Sequence, residues 1–270
     1  MSRLPVDPGV VWALALIAAL AYALRSARQS NLDVRSMYWA AVCAYVGGLW
    51  GGHLMGMAVH GVQGGLFGWA EFWSGPKSYF GALLGGGAAA TLYFRRHKID
   101  ALSYADAAVL AVCLGYAIGR IGCFLNGDDY GTLSHLPWAV AYPPGTEAYQ
   151  AHLSLGWIPP DAAWSLTIHP VQLYASLLGL AMFLVLANYR PRKTGDRLGL
   201  FLVAYAIGRF CMERLRGDFR AILGPLSLPQ LLSLLFLVLA IAVRCGTRGL
   251  LARSGSPPPD LAAAQGPAIA

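Results

Sequence analysis

Apolar residues run along this chain in long blocks, and polar residues collect in the short gaps between them. The blocks cover approximately 9–25, 37–59, 78–94, 104–124, 169–188, 197–215 and 226–244. Most reach roughly the 17 to 25 residues that an α-helix needs to cross a bilayer. The pattern therefore predicts an all-α polytopic membrane protein with about seven transmembrane helices. The first block has the length of a retained span rather than a cleaved leader, and Arg25 and Arg28 follow it closely. Residues 1–253 read as a single transmembrane domain, and the Ser/Pro/Ala-rich residues 254–270 as a disordered cytoplasmic tail.

Composition supports this division. Of 270 residues, 57% are hydrophobic and 12% charged, about half the charged share of a soluble domain. The net charge of +7 suggests nucleic acid only until the basic residues are located. Arg25, Arg28 and Arg35 follow the first block, and Arg95, Arg96 and Lys98 the third. Arg190, Arg192, Lys193 and Arg197 follow the fifth, and Arg244, Arg248 and Arg253 the last. These alternate gaps hold 13 of the 20 Lys and Arg residues, which places them on the cytoplasmic side. The N-terminus is then outside and the C-terminus cytoplasmic. The one long loop, about 125–168, contains no Lys or Arg and lies on the extracytoplasmic face. Its Trp138, Tyr142, Tyr149 and Trp157 suit a headgroup layer.

The sequence YAIGR occurs twice, ending at Arg120 and at Arg209. In this topology both copies end at the outer face, on parallel helices. An arginine at membrane depth costs at least about 2.5 kcal/mol unless it snorkels or faces a polar interior. Arg209 is followed by Glu213 and Arg216 and preceded by Tyr205, at spacings that put all four on one helical face. That ladder is expected to face the bundle interior, either as a structural lock between helices or as a binding site. Arg214, Arg216 and Arg220 fall on the outer side, against the topology rule. Guanidinium groups grip phosphate in bidentate fashion, and the outer leaflet supplies phosphate in lipid headgroups.

After Arg120 come Gly122, Asn126, Gly127, Asp128, Asp129 and Gly131, a polar exit turn. Asn126 and Asp128 either order that turn or contact a polar substrate. His169, Gln172 and Tyr174 open the fifth block within HPVQLY. The cysteines Cys43, Cys113, Cys123, Cys211 and Cys245 show no CxxC spacing, and the histidines no HExxH, so neither a metal nor a cofactor is expected. A Cys123–Cys211 disulfide is conceivable from their shared outer position. No GxSxG elbow is present.

These elements together resemble the bacterial prolipoprotein diacylglyceryl transferases. GRIGCFLNGDDYG is similar to that family's GRxGNFxNxExxG, and HPVQLY to its HPxQLYE. GRFCMERLRGD is similar to its Arg–Glu–Arg helix, and LSLPQLLSL, with Gln230, to its final span. The resemblance covers roughly residues 10–245. It implies transfer of a diacylglyceryl group from phosphatidylglycerol to the lipobox cysteine of a prolipoprotein, at the outer face of the bacterial cytoplasmic (inner) membrane. It implies catalytic roles for Arg120, Arg209 and Glu213. Substrate contacts are implied for Arg120, Asn126, Asp128, Gly131, His169, Gln172, Tyr205 and Arg216. Three positions depart from the family pattern: Phe80 replaces a histidine proposed as a base, Cys123 an asparagine, and Ala175 a glutamate. A related enzyme with a different acceptor, and a non-catalytic phospholipid-binding protein, are the alternatives.

Overall fold

The computed structural model describes residues 6–60, 79–217 and 221–254. The tail from 255 onward, Asp218 and Arg220 lie outside them. All seven apolar blocks form helices: α1 (Pro8–Gln29), α2 (Val34–His60), α3 (Tyr79–Arg96), α4 (Ala101–Asn126), α6 (Val171–Asn188), α7 (Asp196–Met212) and α8 (Leu228–Ser254). A short α5 (Glu147–Ser154) lies in the long loop. A two-stranded hairpin, β1 (Ala221–Leu223) with β2 (Leu226–Ser227), leads into α8. Among the described residues, three helices, α1, α4 and α6, are long and apolar enough to cross a membrane by length and composition.

Helix boundaries follow ordinary end chemistry. Asp7 accepts from the Gly9 N–H at 2.6 Å and starts α1, with Pro8 in the first turn. Asp100 caps α4 through the Leu102 N–H at 3.1 Å. Gly127, at φ 74°, ends α4 in the left-handed conformation that glycine adopts without a Cβ penalty.

The bundle is assembled from pairs: α2 with α3, α1 with α4, α4 with α6, and α7 with α8. Small residues let these helices approach closely. Gly179 on α6 packs on the Ala117 backbone of α4, and Ser176 donates to the Ala117 carbonyl at 2.7 Å. One core joins α1 to α4 around Ala27, Met37, Phe94 and Ala107. A second joins α4, α6 and α7 around Cys113, Met182 and Leu186. Outside these cores, large apolar side chains such as Ile17, Leu84, Leu177, Val185 and Val238 are exposed. Apolar exposure on this scale along the seven long helices is expected of a lipid-facing surface and not of a water-facing one.

The long loop is a folded cap. Tyr130, Tyr142, Ala148 and Ile168 form its own small core. Val140 and Ile168 exchange backbone hydrogen bonds at 3.0 and 2.9 Å. His152 is part of this framework: it is buried beside Trp157, and its Nδ1 accepts from the Leu166 N–H at 3.2 Å.

Candidate anion site

Three arginines from distant parts of the chain meet where the loop joins the bundle. Arg120 sits in the last two turns of α4, with its guanidinium 5.2 Å from the Tyr116 ring. Arg209 sits in the last turn of α7 and pairs with Glu213 at 2.7 Å. Arg216 follows after a change of backbone geometry. The α-helix ends at Met212, residues Glu213–Leu215 form a 3-10 turn, and Arg216 is extended. The continuous helical face expected for Tyr205, Arg209, Glu213 and Arg216 therefore stops at Glu213. Arg216 is brought to the site by the backbone instead.

That backbone is a short antiparallel ladder. The Thr132 N–H donates to the Leu215 carbonyl at 2.8 Å, and the Gly217 N–H to the Tyr130 carbonyl at 3.0 Å. Gly131 and Arg216 are bridge partners between these bonds. A side chain at position 131 would run into the His169 carbonyl, so only glycine fits there. Gly131 thus contributes by letting three strands of backbone converge.

The carboxylate among the arginines is Asp129. Its Oδ2 accepts from Arg120 at 2.5 Å and its Oδ1 from Arg216 at 2.6 Å. Burial alone raises the Asp129 carboxyl. Arg216 and then Arg120 more than reverse this and hold it at about 2. Sequence reasoning singled out its neighbour. Asp128 faces the other way: its Oδ2 accepts from Asn126 Nδ2 at 2.9 Å, and its carbonyl accepts from Gln172 Nε2 at 2.7 Å. Burial raises the Asp128 carboxyl, opposed by the Asn126 hydrogen bond. Asn126, Asp128 and Gln172 therefore hold the exit turn, and Gln172 also lines a small cleft beside Arg120 and Arg209. His169 and Tyr174 stand 3.4 Å apart, and Tyr174 accepts from Trp138 Nε1 at 2.7 Å. That chain braces the loop against α6.

Glu213 is almost fully buried and takes a third partner that sequence reasoning missed. Ser227 Oγ donates to its Oε1 at 2.8 Å. Ser227 is in turn held by Gln230, whose Oε1 accepts from the Ser227 N–H at 3.1 Å. The signal available in the sequence was the S-x-x-Q spacing just ahead of an apolar block, which reads as a capping box.

These groups head a cavity of about 560 Å³, within the ~300–1,000 Å³ range of ligand sites. Arg120, Asp129, Arg209, Glu213, Arg216 and Ser227 line one part. Leu83, Val112, Phe201, Leu202, Leu232 and Phe236 line the rest. Tyr205 borders the cavity too, in ring contact with Tyr116 and Phe201 at 5.7 Å. The arrangement suits an amphiphile with an anionic head and apolar tails.

Two of the three departures fall near this site. Ala175 is buried and lines the cleft beside Arg120. Phe80 is the second residue of α3, and its side chain falls outside the described part of the structure. Cys123 and Cys211 are free thiols, so the conceivable disulfide between them is not formed. The Cys123 thiol and the Asp128 and Asp129 carboxylates lie within 4.8 Å of one another. Asp129 already pairs with two guanidinium groups, and their charge disfavours a cation there.

Residues 8–245 match the family model of prolipoprotein diacylglyceryl transferase. A phosphatidylglycerol–prolipoprotein diacylglyceryl transferase of Thermosynechococcus vestitus is 30% identical over 93% of this chain and 90% of its own length. The protein of the same name from Clostridium tetani is 29% identical over 87% of this chain and 90% of its own length. The match spans every helix that builds the arginine site, and the chain belongs to the prolipoprotein diacylglyceryl transferase family.

Proposed function

We propose that this chain transfers a diacylglyceryl group from phosphatidylglycerol to the lipobox cysteine thiol of a prolipoprotein. The observation that carries the reading is the convergence of Arg120, Arg209 and Arg216 at the head of one cavity with apolar walls. Two of these arginines are held by Asp129 and the third by Glu213, so the donors are in place before substrate arrives. The lipid phosphate lies against the guanidinium groups, and its acyl chains lie along Phe201, Leu202, Leu232 and Phe236. Seven helices cross the inner membrane, with the N-terminus and the loop cap outside, so the site opens toward the outer leaflet.

The chemistry is a displacement at a glyceryl carbon. The acceptor thiol gives up its proton, because the thiolate is the nucleophile. A C–S bond forms, the C–O bond to phosphate breaks, and the electron pair stays on the departing phosphate oxygen. Glycerol phosphate leaves with one more negative charge than the diester carried. Arg120, Arg209 and Arg216 stabilise that developing charge. Glu213 fixes Arg209 and is the cavity carboxylate placed to take the thiol proton, and the arginine field lowers the thiol pKa beside it.

The test is incubation of the membrane-embedded protein with labelled phosphatidylglycerol and a lipobox peptide. Thioether product is expected from the wild type. Arg209→Ala is expected to lose roughly 100-fold or more in rate, the scale for removing one donor to developing charge. Absence of product from the wild type, where a relative yields it, overturns the reading. A second reading keeps the lipid donor and changes the acceptor. The apolar Ala175 in the cleft beside Arg120 favours it. Growth rescue of a strain depleted of its own transferase counts against that version.

A further inference from the structure

We propose that Asp129 sets the charge of the anion site, matching it to a singly charged phosphodiester and against a doubly charged phosphomonoester. The proposal rests on the transferase reading of the same cavity and makes Asp129 a specificity-determining residue. In the signature form GRxGNFxNxExxG its position is one of those left open.

The geometry supplies the reason. Among the described residues lining the cavity, the charged side chains are Arg120, Arg209, Arg216, Asp129 and Glu213. Three guanidinium groups against two carboxylates leave one net positive charge. Asp129 gives one oxygen to Arg120 and the other to Arg216. It therefore engages both arginines at once and places its charge between them. Its backbone adopts φ 53°, a conformation that non-glycine residues seldom accept, although Asp tolerates it better than most. A phosphodiester with one negative charge makes the site neutral. A phosphomonoester, with a second pKa near 6, carries close to two negative charges at neutral pH. It leaves the site net negative, with Asp129 as the nearest repelling group.

The consequence is directional. The donor lipid is a diester and the leaving glycerol phosphate is a monoester, so Asp129 weakens product binding more than donor binding, while the three arginines still stabilise the charge that develops on the phosphate. Even under water-like screening, where the interaction is weakest, repulsion of one extra charge by a carboxylate about 5 Å away shifts relative affinity by a factor of about 4.

The test uses the detergent-embedded protein and measures displacement of labelled phosphatidylglycerol by two small competitors. One is glycerol 1-phosphate, and the other is its methyl diester, of similar size and one less charge. The diester-to-monoester affinity ratio of the wild type is the reference. In Asp129→Asn that ratio is expected to shift about fourfold or more toward the monoester, and in Asp129→Glu to return. A purely structural role for Asp129 would weaken both competitors alike and leave the ratio unchanged. An unchanged ratio, or a shift toward the diester, in a folded Asp129→Asn protein overturns the proposal. If Asp129→Asn does not fold, Asp129→Ser, which removes the same charge, replaces it. Thioether formation is scored separately, so its absence removes the transferase reading while the competitor ratio still judges Asp129.

Discussion

Ser227→Ala tests whether the start of α8 controls the arginine site. The substitution removes one hydroxyl and leaves the Ser227 N–H bonded to Gln230 Oε1. What is lost is the 2.8 Å hydrogen bond to Glu213 Oε1, in a place where both residues are nearly inaccessible. A hydrogen bond to a charged group contributes about 1.5–3 kcal/mol. Glu213 keeps its close contact to Arg209 at 2.7 Å and a looser one to Arg216 at 4.0 Å. Its carboxylate is then free to rotate about that single firm anchor, and Arg209 loses its fixed direction. If half to all of the lost energy appears in the transition state, kcat/KM falls by about 4- to 150-fold. The assay is thioether formation at subsaturating lipid, run as a double-mutant cycle with Glu213→Gln. Because Ser227 acts through Glu213, the double variant is expected to be no slower than Glu213→Gln alone. Additive losses would refute the argument, and so would a Ser227→Ala protein with unchanged kcat/KM.

Gly131→Ala drives a methyl group into the His169 carbonyl, and overpacking of this kind costs about 1–3 kcal/mol. A lowered melting temperature in detergent and a parallel loss of turnover are expected, because the same ladder carries Arg216. Asp129 gives a pH prediction. Its carboxyl is depressed from 3.8 to about 2, so its stabilising contribution is present above 3.8 and is lost as pH falls through 2. About 35% of its side chain is exposed, which discounts the contribution to about 1 kcal/mol. The melting-temperature gap between wild type and Asp129→Asn is therefore expected to be constant above pH 5 and to close between about pH 4 and 2.

The helices were legible because each coincides with a long apolar block, whose length and apolarity can be counted. Arg120 and Arg209 were legible because charge at the end of an apolar block needs a reason. The exchange of Asp128 for Asp129 was not legible. Two adjacent aspartates have the same chemistry, and the choice between them is made by the left-handed Gly127 and Asp129, a backbone twist with no unique sequence code. The place of Arg216 was half legible. Spacing put it near Arg209, but the 3-10 turn and its pairing with Gly131 depend on a contact between segments distant in sequence. Short α5 was missed because its eight residues are no more apolar than the loop around them.

Those non-local contacts explain how three like charges are held together. Three guanidinium groups in one cavity repel one another, and side-chain carboxylates offset that repulsion only while the backbones stay in register. Here Arg120 ends a helix whose exit turn is held by Asn126 and Gln172. Arg216 lies on a segment bonded to that turn through Thr132 and Gly217. Arg209 is tied through Glu213 to Ser227 and so to α8. Each arginine is thus anchored by a different element, and all three anchors pass through the loop cap or the start of the last helix. The apolar helices provide the cavity, and the polar connections between them keep the charges at phosphate spacing. A change that loosens the cap, even far from any arginine, is therefore expected to cost turnover before it costs helix content.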